Sequence, residues 1–128
     1  MEEMKLKQLQ YESETWSRLL IFMNDEIIRF KTRLSEVLRA GFDDSMLNEL
    51  EHFQTHFLEA DEWIILLRNE LAELNMLLIR ERTGDVHRNH NVESKTGVLR
   101  KQVTGADDKF RKLKDSFHDF LADKILYQ

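Results

Sequence analysis

The chain has 128 residues and a net charge of −5, and it contains neither proline nor cysteine. This length suits one compact domain, which we predict over residues 1–128. Without cysteine, a disulfide framework, a zinc finger and a thiol nucleophile are excluded. The longest apolar runs have five residues, against the roughly 20 that a membrane-spanning helix needs. We therefore expect a cytoplasmic protein that does not enter a membrane.

Apolar residues in the first part of the chain recur at spacings of three and four, which predicts an amphipathic helix over about residues 4–39. Such residues occupy positions a and d of a heptad, the pattern of coiled-coil packing. Ser13 is the one interruption of the row. The row consists of Leu6, Leu9, Trp16, Leu20, Met23, Ile27, Phe30, Leu34 and Val37.

A short turn follows this helix and leads into a second one. Gly41 can adopt the left-handed conformation that ends a helix, and Asp43, Asp44 or Ser45 can cap the next. The second row predicts a helix over about residues 45–82, antiparallel to the first because the connection is short. This row consists of Met46, Leu50, Phe53, Phe57, Ala60, Ile64, Leu67, Leu71, Leu74 and Leu78.

After a polar stretch over residues 83–92, a third row predicts a helix over about residues 93–126, weakened or kinked at Gly105. The alternative is a break at Gly105, which would give four helices. The predicted fold is all-α: an elongated antiparallel three-helix bundle with coiled-coil-like heptad packing. The third row consists of Leu99, Val103, Ala106, Phe110, Leu113, Phe117 and Phe120.

The sequence offers no catalytic constellation. It has no Gly-x-Ser-x-Gly motif, and its four glycines, at 41, 84, 97 and 105, are too scattered to form a phosphate loop. We therefore predict that the protein is not an enzyme and carries no cofactor. A basic cluster over residues 100–114 surrounds Phe110, but Phe110 belongs to the core row and the chain is acidic overall. This disfavours nucleic acid as a partner.

More apolar residues are present than positions a and d require. In the second helix they recur every seven residues at position b, which lies about 130° from the centre of the a/d row and should face water. They either widen the core or form a second contact face for another copy or a partner helix. The predicted interaction face consists of Ile21, Ile28, Leu58, Ile65, Ala72 and Ile79.

Histidines supply the candidates for a metal site. His52, His56 and Glu59 share one helix face at spacings of four and three, and imidazole and carboxylate groups are common metal ligands. The loop histidines His87 and His90 are a second candidate pair. In both places solvated side chains are the simpler interpretation, because a good site needs three or four convergent ligands.

From these features we expect a non-enzymatic protein–protein interaction module that acts as an adaptor, a chaperone or an oligomerising scaffold. Its partner would be another protein or a second copy of the chain. The alternative is a small helical bundle that binds a metal or another ligand.

Overall fold

The computed structural model describes the backbone of residues 3–83 and 89–125, and the side chains of all of these except 89–91. No strand occurs in these ranges, and no helix in them is long and apolar enough to cross a bilayer. A 3₁₀ turn precedes α2, and a π-helical turn extends α3. The elements in chain order are α1 Glu3–Ala40, the 3₁₀ turn Asp44–Met46, α2 Leu47–Arg82, α3 Asn89–Phe120 and the π turn Leu121–Ile125.

The three helices form the predicted three-helix bundle, and the predicted rows are its core. All residues of the first two rows are buried, and Leu20, Ile27 and Ile64 have no exposed surface. In the third row only Leu113 remains half-buried. The alternation of three and four therefore identifies the buried side of each helix, because it follows the 3.6-residue helical repeat. The interlocking side chains of a coiled coil stay a prediction.

The turn between α1 and α2 uses Gly41 and Asp43 as predicted, but Asp43 caps a 3₁₀ turn and not α2 itself, which has no side-chain cap. Gly41 has a φ of +94°, a conformation that residues with a Cβ atom rarely adopt. The Asp43 carboxylate accepts a hydrogen bond of 3.1 Å from the Ser45 N–H, and the Asp43 carbonyl accepts one of 2.9 Å from the Met46 N–H. The first turn is thus 3₁₀, so α2 begins at Leu47 and not at residue 45.

The third helix departs most from prediction. It begins at Asn89, four residues before the predicted start, because buried Val92 and Thr96 continue its core row towards the N-terminus. It crosses Gly105 without a break, so the four-helix alternative is wrong. The regular α-helix ends at Phe120, and the π turn Leu121–Ile125 follows it. The predicted end at residue 126 lies outside the described residues.

Gly41 and Gly105 should respond in opposite ways to substitution by alanine. Gly105 lies within α3, and a Cβ atom built there meets nothing within 4 Å. We expect Gly105→Ala to raise the free energy of unfolding by about 0.5–1 kcal/mol. We expect Gly41→Ala to lower it by about 1–2 kcal/mol, because φ there is positive. Urea denaturation followed by circular dichroism measures both, and a shift in the same direction for both variants would contradict the prediction.

A ladder of contacts sets α1 and α3 parallel and in register. The ion pairs Lys5–Glu93, Glu12–Arg100 and Glu26–Lys114 have N–O distances of 2.5, 2.7 and 3.4 Å. In each pair the two residues are 88 positions apart. The rings of Phe22 and Phe110, which have the same offset, lie 5.9 Å apart in an edge-on contact. A constant offset over more than 20 residues means that the two helices run side by side without sliding.

The third side of the bundle is fixed by Lys95. Its ammonium group lies 2.7 Å from Glu70 Oε2 and 3.0 Å from Glu73 Oε2, which links α3 to α2. The hydrogen bond to Glu70 is the main cause that raises the pKa of Lys95 above its ordinary value. This contact agrees with the sequence, in which residues 41–84 hold ten acidic and three basic residues.

Candidate interaction surface

Two side-chain contacts fix the position of α1 relative to α2 along the bundle axis, which we call height. Lys31 Nζ lies 2.6 Å from Asp61 Oδ2, and the Ser13 hydroxyl donates a hydrogen bond to the side-chain oxygen of Asn75. In both pairs the two residue numbers add up to about 90, as expected for antiparallel helices. Any residue of α1 can therefore be assigned the α2 residue that lies level with it.

This alignment interleaves the predicted interaction residues of the two helices. Ile28 lies level with about residue 62, between Leu58 and Ile65. Ile21 lies level with about residue 69, between Ile65 and Ala72. The apolar side chains thus alternate between α1 and α2 along the bundle.

The residues at both ends of this row lie in the groove between α1 and α2. Leu58 lines it together with Lys31, Ser35 and Leu38 of α1. At the other end Ile79 lines it with Gln10 and Glu14. Because Ile65 and Ala72 follow Leu58 at intervals of seven residues, which is close to two helical turns, they face the same way.

The third helix packs on the side of the α1–α2 pair opposite this groove. Glu12 of α1 pairs with α3. Ile21 lies nine residues after Glu12, so its side chain projects from the other side of α1, about half a turn away. On α2, Glu70 pairs with α3 and lies nine residues before Ile79, again about half a turn away. The groove therefore opens away from α3. We call this surface the α1–α2 face and define it by Ile21, Ile28, Leu58, Ile65, Ala72 and Ile79.

The α1–α2 face is exposed. Its isoleucines and its leucine have exposed fractions between 48% and 57%, and Ala72 is exposed as well. The adjacent core residues Ile27 and Ile64 have none. The sequence left open whether the row widens the core or forms a separate surface, and this contrast favours the surface.

Leu38 is a further residue of this groove that the sequence analysis did not select. It lines the groove beside Leu58, and 39% of its surface is exposed. It occupies position e of the heptad and not position b, so the spacing of seven residues does not include it. The signal that could have found it is its position seven residues after Lys31, which lines the same groove.

The predicted metal candidates of α2 do come together. The ring centroids of His52 and His56 lie 4.2 Å apart, and His56 Nδ1 lies 3.4 Å from Glu59 Oε2. Lys109 and Lys112 of α3 line the same groove, and their positive charge opposes the approach of a divalent cation. In the part of the chain with described side chains, no three His, Asp or Glu groups converge to hold a metal ion.

The remaining site predictions concern the loop histidines and the basic cluster. The side chains of His87 and His90 lie outside the described residues. Much of the basic cluster takes part in ion pairs, which are Arg100–Glu12, Arg111–Asp107, Lys112–Asp108 and Lys114–Glu26. Phe110 is buried in the core, so it offers no ring on which a base could stack.

Comparison with known proteins gives no relative from which a function could be transferred. No protein-family model, no curated protein and no solved structure matches the chain. A functional interpretation therefore depends on the surface described above.

Proposed function

We propose that the chain is a non-enzymatic protein–protein interaction module that binds its partner through the α1–α2 face. The observation that carries the proposal is the alternating row of half-exposed isoleucine and leucine side chains in the groove facing away from α3. An apolar row of this kind suits a helix, which would lie in the groove and bury its own apolar side chains there.

The physical basis of binding would be the removal of apolar surface from water, which stabilises a complex by about 25 cal/mol per Å² before the cost of association. The roles of adaptor, chaperone and oligomerising scaffold all require such a face. The lysines beside His52 and His56 weigh against the metal-binding alternative. The cytoplasmic location stays a prediction from the sequence.

A photo-crosslinking amino acid placed in the α1–α2 face tests the proposal in cells. We expect p-benzoylphenylalanine at position 65 to form a discrete covalent adduct on irradiation, because Ile65 is at the centre of the face. Position 66 is the matched control: Leu66 is the next residue, is 63% exposed and lies on the side towards α3.

Gel electrophoresis and mass spectrometry of the adduct identify the attached protein, whether it is another chain or a second copy. Absence of an adduct at position 65 would contradict the proposal, and so would the same adducts in equal yield at position 66.

A further inference from the structure

The charges and spacings of the α1–α2 face are those of a surface that complements itself. We propose that this face binds a second copy of the chain across a two-fold axis perpendicular to the helices at the height of Ile65. The inference rests on the proposed function, since it names the partner of the same face. A two-fold interface uses the same residues on both copies. A residue at a given distance on one side of the axis therefore meets the residue that lies at the same distance on the other side, and the two must be compatible.

The apolar residues satisfy this condition. Across the proposed axis, α2 is antiparallel to α2 of the second copy, and Ile65 lies opposite Ile65. Leu58 and Ala72 lie seven residues on either side, so the large side chain of one copy meets the small one of the other. On α1, Ile28 and Ile21 lie level with about residues 62 and 69. These levels are three and four positions from Ile65, so Ile28 and Ile21 face each other across the axis to within about one residue.

The ends of the face also match. Leu38 lies level with about residue 52, some 13 positions from Ile65, and Ile79 lies 14 positions away on the other side. The axis therefore brings Leu38 of one copy to the height of Ile79 of the other. Both side chains are more than one-third exposed in the single chain, and the dimer would cover them.

The charged residues of α2 are compatible with this axis. Asp61 and Arg68 lie four residues before and three residues after Ile65, so the perpendicular axis brings Asp61 of each copy near Arg68 of the other. Opposite charges attract, so these two contacts would add to the ion pair that Asp61 makes with Lys31 of its own chain.

A polar residue lies next to the proposed axis. Asn24 of α1 is level with about residue 66, and it is half-buried. The axis brings Asn24 of the two copies to nearly the same height, where each amide can both donate and accept a hydrogen bond. A single asparagine among apolar residues fixes the register of paired helices, and Asn24 would do so here.

The size of the face suits a modest dimer. From Leu58 to Ile79 the helix rises about 32 Å, and two helices of about 10 Å diameter give a footprint of about 600 Å² per copy. A standard stable interface covers about 800 Å² per partner. The estimated footprint is below this value, so we expect a weak dimer whose population depends on protein concentration.

Single cysteines test the arrangement, because the chain has none of its own. Facing residues of helices packed 8–10 Å apart come within the Cα distance that a disulfide needs, about 4.4–6.8 Å. Under mild oxidation we expect Ile65→Cys to form a disulfide dimer. A mixture of Leu58→Cys and Ala72→Cys proteins should crosslink at least ten times faster than either protein alone. If Leu58→Cys crosslinks to itself as fast as the mixture does, the proposed axis is wrong.

Sedimentation velocity of the unmodified chain from about 1 to 300 μM measures the dimer itself. We expect Ile65→Glu to weaken dimerisation at least 100-fold, because it places two carboxylates on the axis. Leu66→Glu introduces the same charge one residue away, on the side towards α3, and should change the affinity less than threefold. A chain that stays monomeric over the whole range, or equal effects of the two variants, would overturn the inference.

This outcome is separable from failure of the proposed function. If the pure chain is monomeric while the crosslinker at position 65 attaches a different protein, self-association fails and the interaction module stands. If the chain is monomeric and position 65 forms no adduct, both fail.

Discussion

Phe57→Ala is expected to lower the free energy of unfolding by about 3–5 kcal/mol. Phe57 is fully buried, and its ring centroid lies 4.9 Å from that of Phe117, edge to face, and 5.8 Å from that of Phe30. These three rings belong to three different helices, so truncation opens a cavity where the whole bundle meets. Aromatic pairs of this geometry add about 0.5–1.5 kcal/mol beyond the area that they bury.

Phe22→Ala is the matched control for this prediction. Phe22 is 45% exposed, and it contacts Phe110 edge-on at 5.9 Å with the Lys114 ammonium 5.7 Å from its ring centroid. We expect a loss of about 1 kcal/mol, because much of the ring already lies in water. Urea denaturation followed by circular dichroism measures both variants. Equal losses would mean that the aromatic cluster is not the centre of stability.

The sequence was sufficient to predict the buried side of each helix, but it did not predict which polar residues share that side. Ser13 interrupts the first row and yet is buried, because its hydroxyl donates to Asn75. Thr96 is buried because its hydroxyl donates to the Val92 carbonyl at 2.6 Å. Burying a polar group costs little free energy when the group forms a local hydrogen bond. The spacing of apolar residues cannot identify such a group.

The start of α3 was predicted four residues too late for the same reason. Thr96 was not counted as a core residue, so buried Val92 was separated from the row that begins at Leu99. The preceding Asn89, His90 and Asn91 have weak helix propensity. Tertiary packing of Val92 and Thr96, and not propensity, accounts for the helix there.

The six residues of the α1–α2 face were predicted as one interaction face, but periodicity alone could not show that the two rows lie side by side. Periodicity shows that Ile21 and Ile65 lie away from the core of their own helices, and it carries no information about which neighbour lies beside each. That depends on the side of the α1–α2 pair on which α3 packs. The pairs Glu12–Arg100 and Lys95–Glu70 fix that side, and only then do the two rows become one surface.

Ile64→Glu and Ile65→Glu, a pair of identical changes at adjacent residues, are expected to have very different effects on folding. Ile64 has no exposed surface, and Ile65 is 57% exposed. Ile64→Glu loses the burial of a core side chain, about 2–5 kcal/mol, and also forces a carboxylate into an apolar interior. We expect a total loss of more than about 5 kcal/mol, which is enough to unfold a domain of ordinary stability. Ile65→Glu should change stability by no more than about 0.5 kcal/mol.

Circular dichroism and thermal unfolding at a low protein concentration of about 1 μM, which disfavours a weak dimer, measure the folding of both variants. A folded Ile64→Glu protein would contradict the burial of the second row. An unfolded Ile65→Glu protein would mean that Ile65 belongs to the core, and the α1–α2 face would then lose its central residue. If Ile65→Glu folds normally, any loss of association in that variant must come from the surface itself, because the charge then leaves the bundle intact and alters only what the groove can bind.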